Sequence, residues 1–176
     1  MTGSLQPLTL IVGGARSGKS AFAERLVVGS GRARRYIATA EAWDDEMRTR
    51  IAQHRRERGE DWVTVEAPMD LPAALASVSP DEVVLLDCAT LWLTNQLLAE
   101  HDLEAVTDGL IRALAACKGP VVIVSNEVGS GIVPENALAR RFRDEQGRLN
   151  QRLAAEAALV VTVIAGLPLV LKGQLP

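Results

Sequence analysis

Eight consecutive residues, Gly13-Gly14-Ala15-Arg16-Ser17-Gly18-Lys19-Ser20, fill every position of the phosphate-cradling pattern G-x-x-x-x-G-K-[ST]. Glycines at a strand-to-helix turn let backbone N–H groups converge on phosphate oxygens. A lysine at this spacing reaches the β- and γ-phosphates, and the hydroxyl after it ligates a magnesium ion that keeps most of its waters. The apolar run over 8–12 reads as a buried strand and residues 20–28 as a helix, so the context agrees with the pattern. A glycine-rich turn that merely enters a helix has no need of a lysine followed by a hydroxyl. The stretch predicts a nucleoside triphosphate site, with Lys19 neutralising triphosphate charge and Ser20 on the metal.

Asp87 ends the run Val83-Val84-Leu85-Leu86, where an acid at a strand tip holds magnesium directly or through water. The competing role is a cap on the following helix, filled by Asp87 or Thr90. His54 sits in an arginine-dense helical pattern, with Met47 and Ile51 seven and three residues before it, so periodicity alone places it on an apolar face. A half-buried core histidine satisfies that pattern. Arg50, Arg55 and Arg58 add a second role, because nearby cations disfavour an extra proton and keep an imidazole neutral and able to attack phosphorus. They would also stabilise the negative charge that develops, or else form a solvated face paired with Glu57, Glu60 or Asp61. The polar, glycine-bearing segment 125–136 reads as a substrate-facing loop. The helix after it carries Arg140, Arg141, Arg143, Arg148 and Arg152, which suits solvent, a phosphorylated ligand or a neighbouring subunit.

The elements that must position these groups follow from alternation. Apolar runs over 8–12, 36–38, 62–65, 83–86, 121–124 and 159–164 read as strands, with 169–171 as a further edge strand, and helical patterns lie between them. Continuous Val/Ile/Leu runs suit strands buried on both faces, hence a mostly parallel sheet flanked by helices, an α/β class. The loops after Val12, Leu86 and Val124 then share the carboxyl edge, where ligands collect. At 176 residues the chain fits one domain over 1–176. Its net charge of −3 offers no bulk attraction to nucleic acid, and no apolar stretch is long enough to span a bilayer. No export signal opens the chain, so a cytoplasmic protein is expected. Cys88 and Cys117 lack partners at ligand spacing and read as reduced cysteines, and two histidines, His54 and His101, make a multi-histidine metal site implausible.

Further stretches carry a resemblance. Besides residues 13–20, Tyr-Ile-Ala-Thr at 36–39, Asp-Asp-Glu-Met at 44–47, Arg-Ile-x-x-His-Arg at 50–55, Asn-Glu-Val-Gly-x-Gly-Ile-Val-Pro-Glu-Asn at 126–136 and the arginine-rich run 139–151 occur in collinear order. Together they resemble the bifunctional adenosylcobinamide kinase/adenosylcobinamide-phosphate guanylyltransferase family from about residue 10 to 166. The resemblance implies a RecA-like P-loop fold in the cytoplasm and two reactions. A γ-phosphoryl group passes from ATP or GTP to the hydroxyl of adenosylcobinamide, and GMP from GTP then passes to the phosphate so made. It implies magnesium, a guanylylated His54, and nucleotide contacts at the loop, Ala38, Thr39, Ala40, Arg55, Arg56, Glu57, Arg58, Glu66 and Asp87, with Glu66 accepting from guanine. Arg58-Gly59 departs from the Arg-Pro common after that histidine. A closed homo-oligomer, a trimer by analogy, is also implied. The rival readings are a kinase alone, with His54 structural, and a nucleotide-dependent switch protein.

Overall fold

A computed structural model describes residues 4–41 and 61–176. Seven strands form one sheet in the order β3-β2-β4-β5-β1-β6-β7: β1 (Leu8–Gly13), β2 (Ala33–Ala38), β3 (Trp62–Glu66), β4 (Glu82–Asp87), β5 (Val121–Asn126), β6 (Leu159–Ile164) and β7 (Leu167–Lys172). Every pairing is parallel except β6 with β7. The helices among the described residues are α1 (Lys19–Gly29), α2 (Leu71–Ala76), α3 (Ala89–Leu98), α4 (Leu103–Ala116) and α5 (Ala137–Glu156).

The apolar runs become strands because both their faces find cover. Within β4, Val84 and Leu86 enter one core with Leu10, Ile37, Val121 and Ile123, while Val83 and Leu85 enter a second with Ile11, Tyr36, Val122 and Val124. Period-two alternation thus splits the central strands between two apolar layers, which is why they read as unbroken apolar runs. The first core lies under α2 to α5 and includes Trp92, whose indole N–H donates to the Met69 carbonyl at 3.0 Å. The second lies under α1 through Phe22, Ala23 and Val27.

The strand expectations hold, with β2 beginning three residues earlier than its apolar run, where Arg34 and Arg35 are half-buried. The Arg35 guanidinium forks onto Glu82 at 3.1 and 2.9 Å and reaches the Ser77 hydroxyl at 2.9 Å, so a charged residue is accommodated inside a strand. The edge strand is also longer than expected, and all six of its residues are exposed.

Candidate active site

The strand order brings the carboxyl ends of β1, β4 and β5 side by side, with Gly13 in register with Asn126 and Asp87 in register with Val124. At Gly13 a Cβ would lie 2.5 Å from Ser17 Oγ and 2.7 Å from the Val163 carbonyl, so no side chain fits. Gly18 takes φ 92° and occupies the N-cap of α1 without a side-chain cap. By contrast Asp70, Asp102 and Asn136 cap α2, α4 and α5 through side-chain oxygens. A helix start left without a side-chain acceptor is where a phosphate can serve as one. Two of the loop's carbonyls already have backbone partners, Gly13 O accepting from the Glu127 N–H at 3.0 Å and Gly14 O from the Ser17 N–H at 3.3 Å. Lys19 Nζ donates to Gly14 O at 3.0 Å and the residue is only 9 % exposed. Burial pulls its ammonium below the ordinary lysine value, against the opposing pull of Cys88 and Asp87. Phosphate oxygens would give this half-desolvated cation stronger acceptors than one neutral carbonyl.

Asp87 stands at the tip of β4 with its Oδ2 accepting from the Tyr36 hydroxyl at 3.1 Å. It does not cap α3: Cys88 holds the N-cap position, and Thr90 Oγ1 accepts instead from the Asn126 N–H at 2.8 Å, tying β5 to α3. The Asp87–Cys88 peptide is cis. Burial, reinforced by the Asp87 charge, pushes the Cys88 thiol up to about 11. Among the described residues no cluster of three or more His, Cys, Asp or Glu side chains could hold a metal. One hydroxyl at Ser20 and one carboxylate at Asp87 are hard oxygen donors suited instead to magnesium, which takes few protein ligands and completes its shell with phosphate and water.

Ala38 pairs with Asp87 on one side and Glu66 on the other, so the three expected nucleotide contacts share one edge, with Glu66 exposed. Thr39 spends its hydroxyl within the protein. It is fully buried, its hydroxyl donates to Cys88 O at 2.7 Å and accepts from Cys88 N at 2.8 Å, and its carbonyl accepts from Asn95 Nδ2 at 3.0 Å. Its side chain locks the tip of β2 to the residue after Asp87. Ala40 is half-buried just beyond.

At the third tip, Ser125 and Gln146 are fully buried and join Asn150 in a polar knot. Ser125 Oγ donates to Asn150 Oδ1 at 2.6 Å, Gln146 Nε2 donates to Ser125 Oγ and to Asn150 Oδ1, both at 2.9 Å, and Asn150 Nδ2 donates to Asn126 O at 3.0 Å. Sequence reading assigned neither Asn150 nor Gln146 a role of its own; the apolar partners Leu149 and Leu153 were the signal that this stretch of α5 faces inward. Most arginines of α5 are occupied: Arg140 donates to the Pro134 and Glu135 carbonyls, Arg143 pairs with Asp144, Arg148 with Glu145 and Arg152 with Asp108. The segment between β5 and α5 remains open, with Ile132 at 96 % exposure. His54, Arg50, Arg55, Arg56, Glu57 and Arg58 lie outside the described residues.

Comparison with known proteins joins this geometry to a lineage. The family described as cobinamide kinase / cobinamide phosphate guanyltransferase matches residues 9–171. The bifunctional adenosylcobalamin biosynthesis protein CobP of Pseudomonas aeruginosa is 48% identical over 168 residues, covering 94% of this chain and 97% of the relative. CobU of Escherichia coli, with the same description, is 44% identical over 181 residues, covering 94% and 99%. Among solved structures, that of the RadB recombinase superposes with a TM-score of 0.54 at 18% identity over 91% of this chain and 76% of that one, a likeness of fold that agrees with a RecA-like sheet. A phosphate loop at the carboxyl edge of such a sheet, matched over nearly the whole length by these relatives, places the chain in the cobinamide kinase / cobinamide phosphate guanyltransferase family, of which it is an enzyme.

Proposed function

We propose that this enzyme phosphorylates the hydroxyl of adenosylcobinamide with ATP or GTP and then joins GMP from GTP to the product, giving adenosylcobinamide-GDP. The observation that carries the reading is the phosphate loop itself: an uncapped helix start, a buried lysine and a strand-tip carboxylate on one sheet edge, in a chain that matches the bifunctional relatives almost end to end. In the first reaction the substrate hydroxyl oxygen bonds to the γ-phosphorus, the bridging oxygen leaves with the nucleoside diphosphate, and the hydroxyl proton is released. Such transfers depend mainly on alignment and charge neutralisation, supplied here by Lys19 and the loop N–H groups. Magnesium, when bound at Ser20 and Asp87, screens charge on the phosphates.

In the second reaction a neutral His54 nitrogen bonds to the α-phosphorus of GTP and pyrophosphate leaves. The phosphate of adenosylcobinamide phosphate then attacks the same phosphorus and the histidine leaves, so one displacement becomes two. Arg55, Arg56, Glu57 and Arg58 flank the nucleophile in sequence, and Glu66 accepts from guanine N–H groups. The enzyme acts in the cytoplasm as a closed oligomer, a trimer by family analogy. The exposed Leu167, Leu169 and Leu171 of β7 support burial between copies, and a monomer mass in sedimentation equilibrium would end that part of the reading. Incubation with α-labelled GTP and magnesium tests the central claim. Label should remain on the protein, survive alkali and be lost in mild acid, and His54→Asn should lose both label and GMP transfer while retaining phosphorylation of adenosylcobinamide. Normal GMP transfer by the variant would refute the assignment.

A further inference from the structure

We propose that the turn between β6 and β7 is the seat of the phosphate loop, and that Gly166 is a positioning residue for nucleotide binding. Ile164 pairs with Leu167 across a two-residue turn, with Ala165 at φ 52° and Gly166 at φ 79°, the left-handed pair that such hairpins require. From this turn the Gly166 N–H donates to the Ser17 carbonyl at 2.8 Å. A Cβ on Gly18 would meet Gly166 Cα at 3.1 Å, and a Cβ on Gly13 would meet the Val163 carbonyl at 2.7 Å. Three separate approaches therefore bring Gly13, Ser17 and Gly18 of the loop onto two residues of the hairpin, Val163 and Gly166.

The contact matters because of peptide planarity. In a trans peptide the C=O and the following N–H point in opposite directions, so fixing the Ser17 carbonyl toward the hairpin aims the Gly18 N–H the other way, into the cradle. The strand that follows the turn adds little to the core, since every residue of β7 is exposed. Its turn is in contact with the loop all the same. The hairpin thus holds one of the donors in place before a ligand arrives, which lowers the ordering cost of binding. Because coupling is reciprocal, a bound nucleotide must in turn hold the hairpin.

The inference rests on the reading that residues 13–20 bind nucleotide, and the assay separates the two. Binding of magnesium–GDP is measured by calorimetry on the full chain. Gly166→Pro removes the N–H donor and, because proline cannot take φ 79°, also unseats the turn, so it should weaken binding at least about tenfold, the order expected when one acceptor loses its partner. Gly166→Asn keeps the N–H, tolerates the left-handed backbone, and adds a Cβ into space with no neighbour within 4 Å, so it should bind like the parent. Equal affinity in folded Gly166→Pro and parent overturns the proposal. If the proline variant does not fold, amide exchange decides: saturating GDP should slow exchange at Gly166 in the parent at least about tenfold, and no change there overturns the proposal equally. Failure of the parent itself to bind GDP would instead refute the nucleotide site.

Discussion

Thr39→Val separates a ligand contact from a structural lock. Valine nearly matches threonine in shape, so the substitution removes the hydroxyl with little change in packing. Two hydrogen bonds go with it, to the Cys88 carbonyl at 2.7 Å and from the Cys88 N–H at 2.8 Å, at a site with no solvent access to replace them. The Cys88 carbonyl keeps the Trp92 N–H at 3.3 Å, so one buried donor, the Cys88 N–H, is left unsatisfied, and at roughly 1–3 kcal/mol for such a group we take about 2 kcal/mol. For a chain of this length, at roughly 2–4 °C per kcal/mol, that lowers the melting temperature by roughly 4–8 °C. The measurement is calorimetric unfolding without nucleotide, with Thr39→Ser as the control that keeps the hydroxyl and most of the stability. A lock loses stability in the empty protein, whereas a residue that only touches nucleotide does not. A shift under about 2 °C for Thr39→Val, together with weakened GTP binding, would refute the lock.

Lys19→Ala should lower both phosphoryl transfer and GMP transfer by roughly 100-fold or more, since one loop must hold the triphosphate whichever phosphorus is attacked; separate assays of the two reactions check this, and near-normal kinase turnover would contradict it. At Glu82 burial alone would raise the carboxyl, but the Ser79 N–H and the Arg35 fork outweigh it and hold the carboxyl below its ordinary value. A folded-state value below the unfolded one contributes stability that is complete above the unfolded value and is lost as pH falls through the folded one. Glu82→Gln should therefore be less stable than the parent near neutral pH, and the gap in urea midpoint should close on acidification below 4.5, the carboxyl's ordinary value; a gap independent of pH would contradict the assignment.

The architecture was legible because its strands are buried on both faces and so announce themselves as apolar runs. Residues 83–86 and 121–124 could hardly have been anything else. The phosphate loop was equally plain, since its glycines answer to steric demands that the structure measures at Gly13 and Gly18. Where polar residues point was not legible. Thr39, read as a nucleotide contact, spends its hydroxyl on Cys88, and Gln146, surrounded by charges in sequence, is wholly buried against Ser125 and Asn150. Each outcome depends on a partner at least 21 residues away, Cys88 for Thr39 and Ser125 for Gln146, and a local pattern carries no information about it. The arginines of α5 show the same limit, because their pairing with Asp108 or with loop carbonyls is decided by tertiary placement.

Cys88 also serves as a chemical witness. Its thiol lies buried beside the Asp87 carboxylate, and burial and that charge together push it up to about 11, so near pH 8 the thiolate that alkylating reagents attack is scarce. A maleimide or iodoacetamide added to the folded enzyme should pass it by, whereas any excursion that opens the joint between β2 and β4 restores an ordinary cysteine and commits it to modification. The rate at which this one sulfur is lost then counts how often the wall formed by the tips of β2 and β4 comes apart, read from the enzyme's own sequence without an added label.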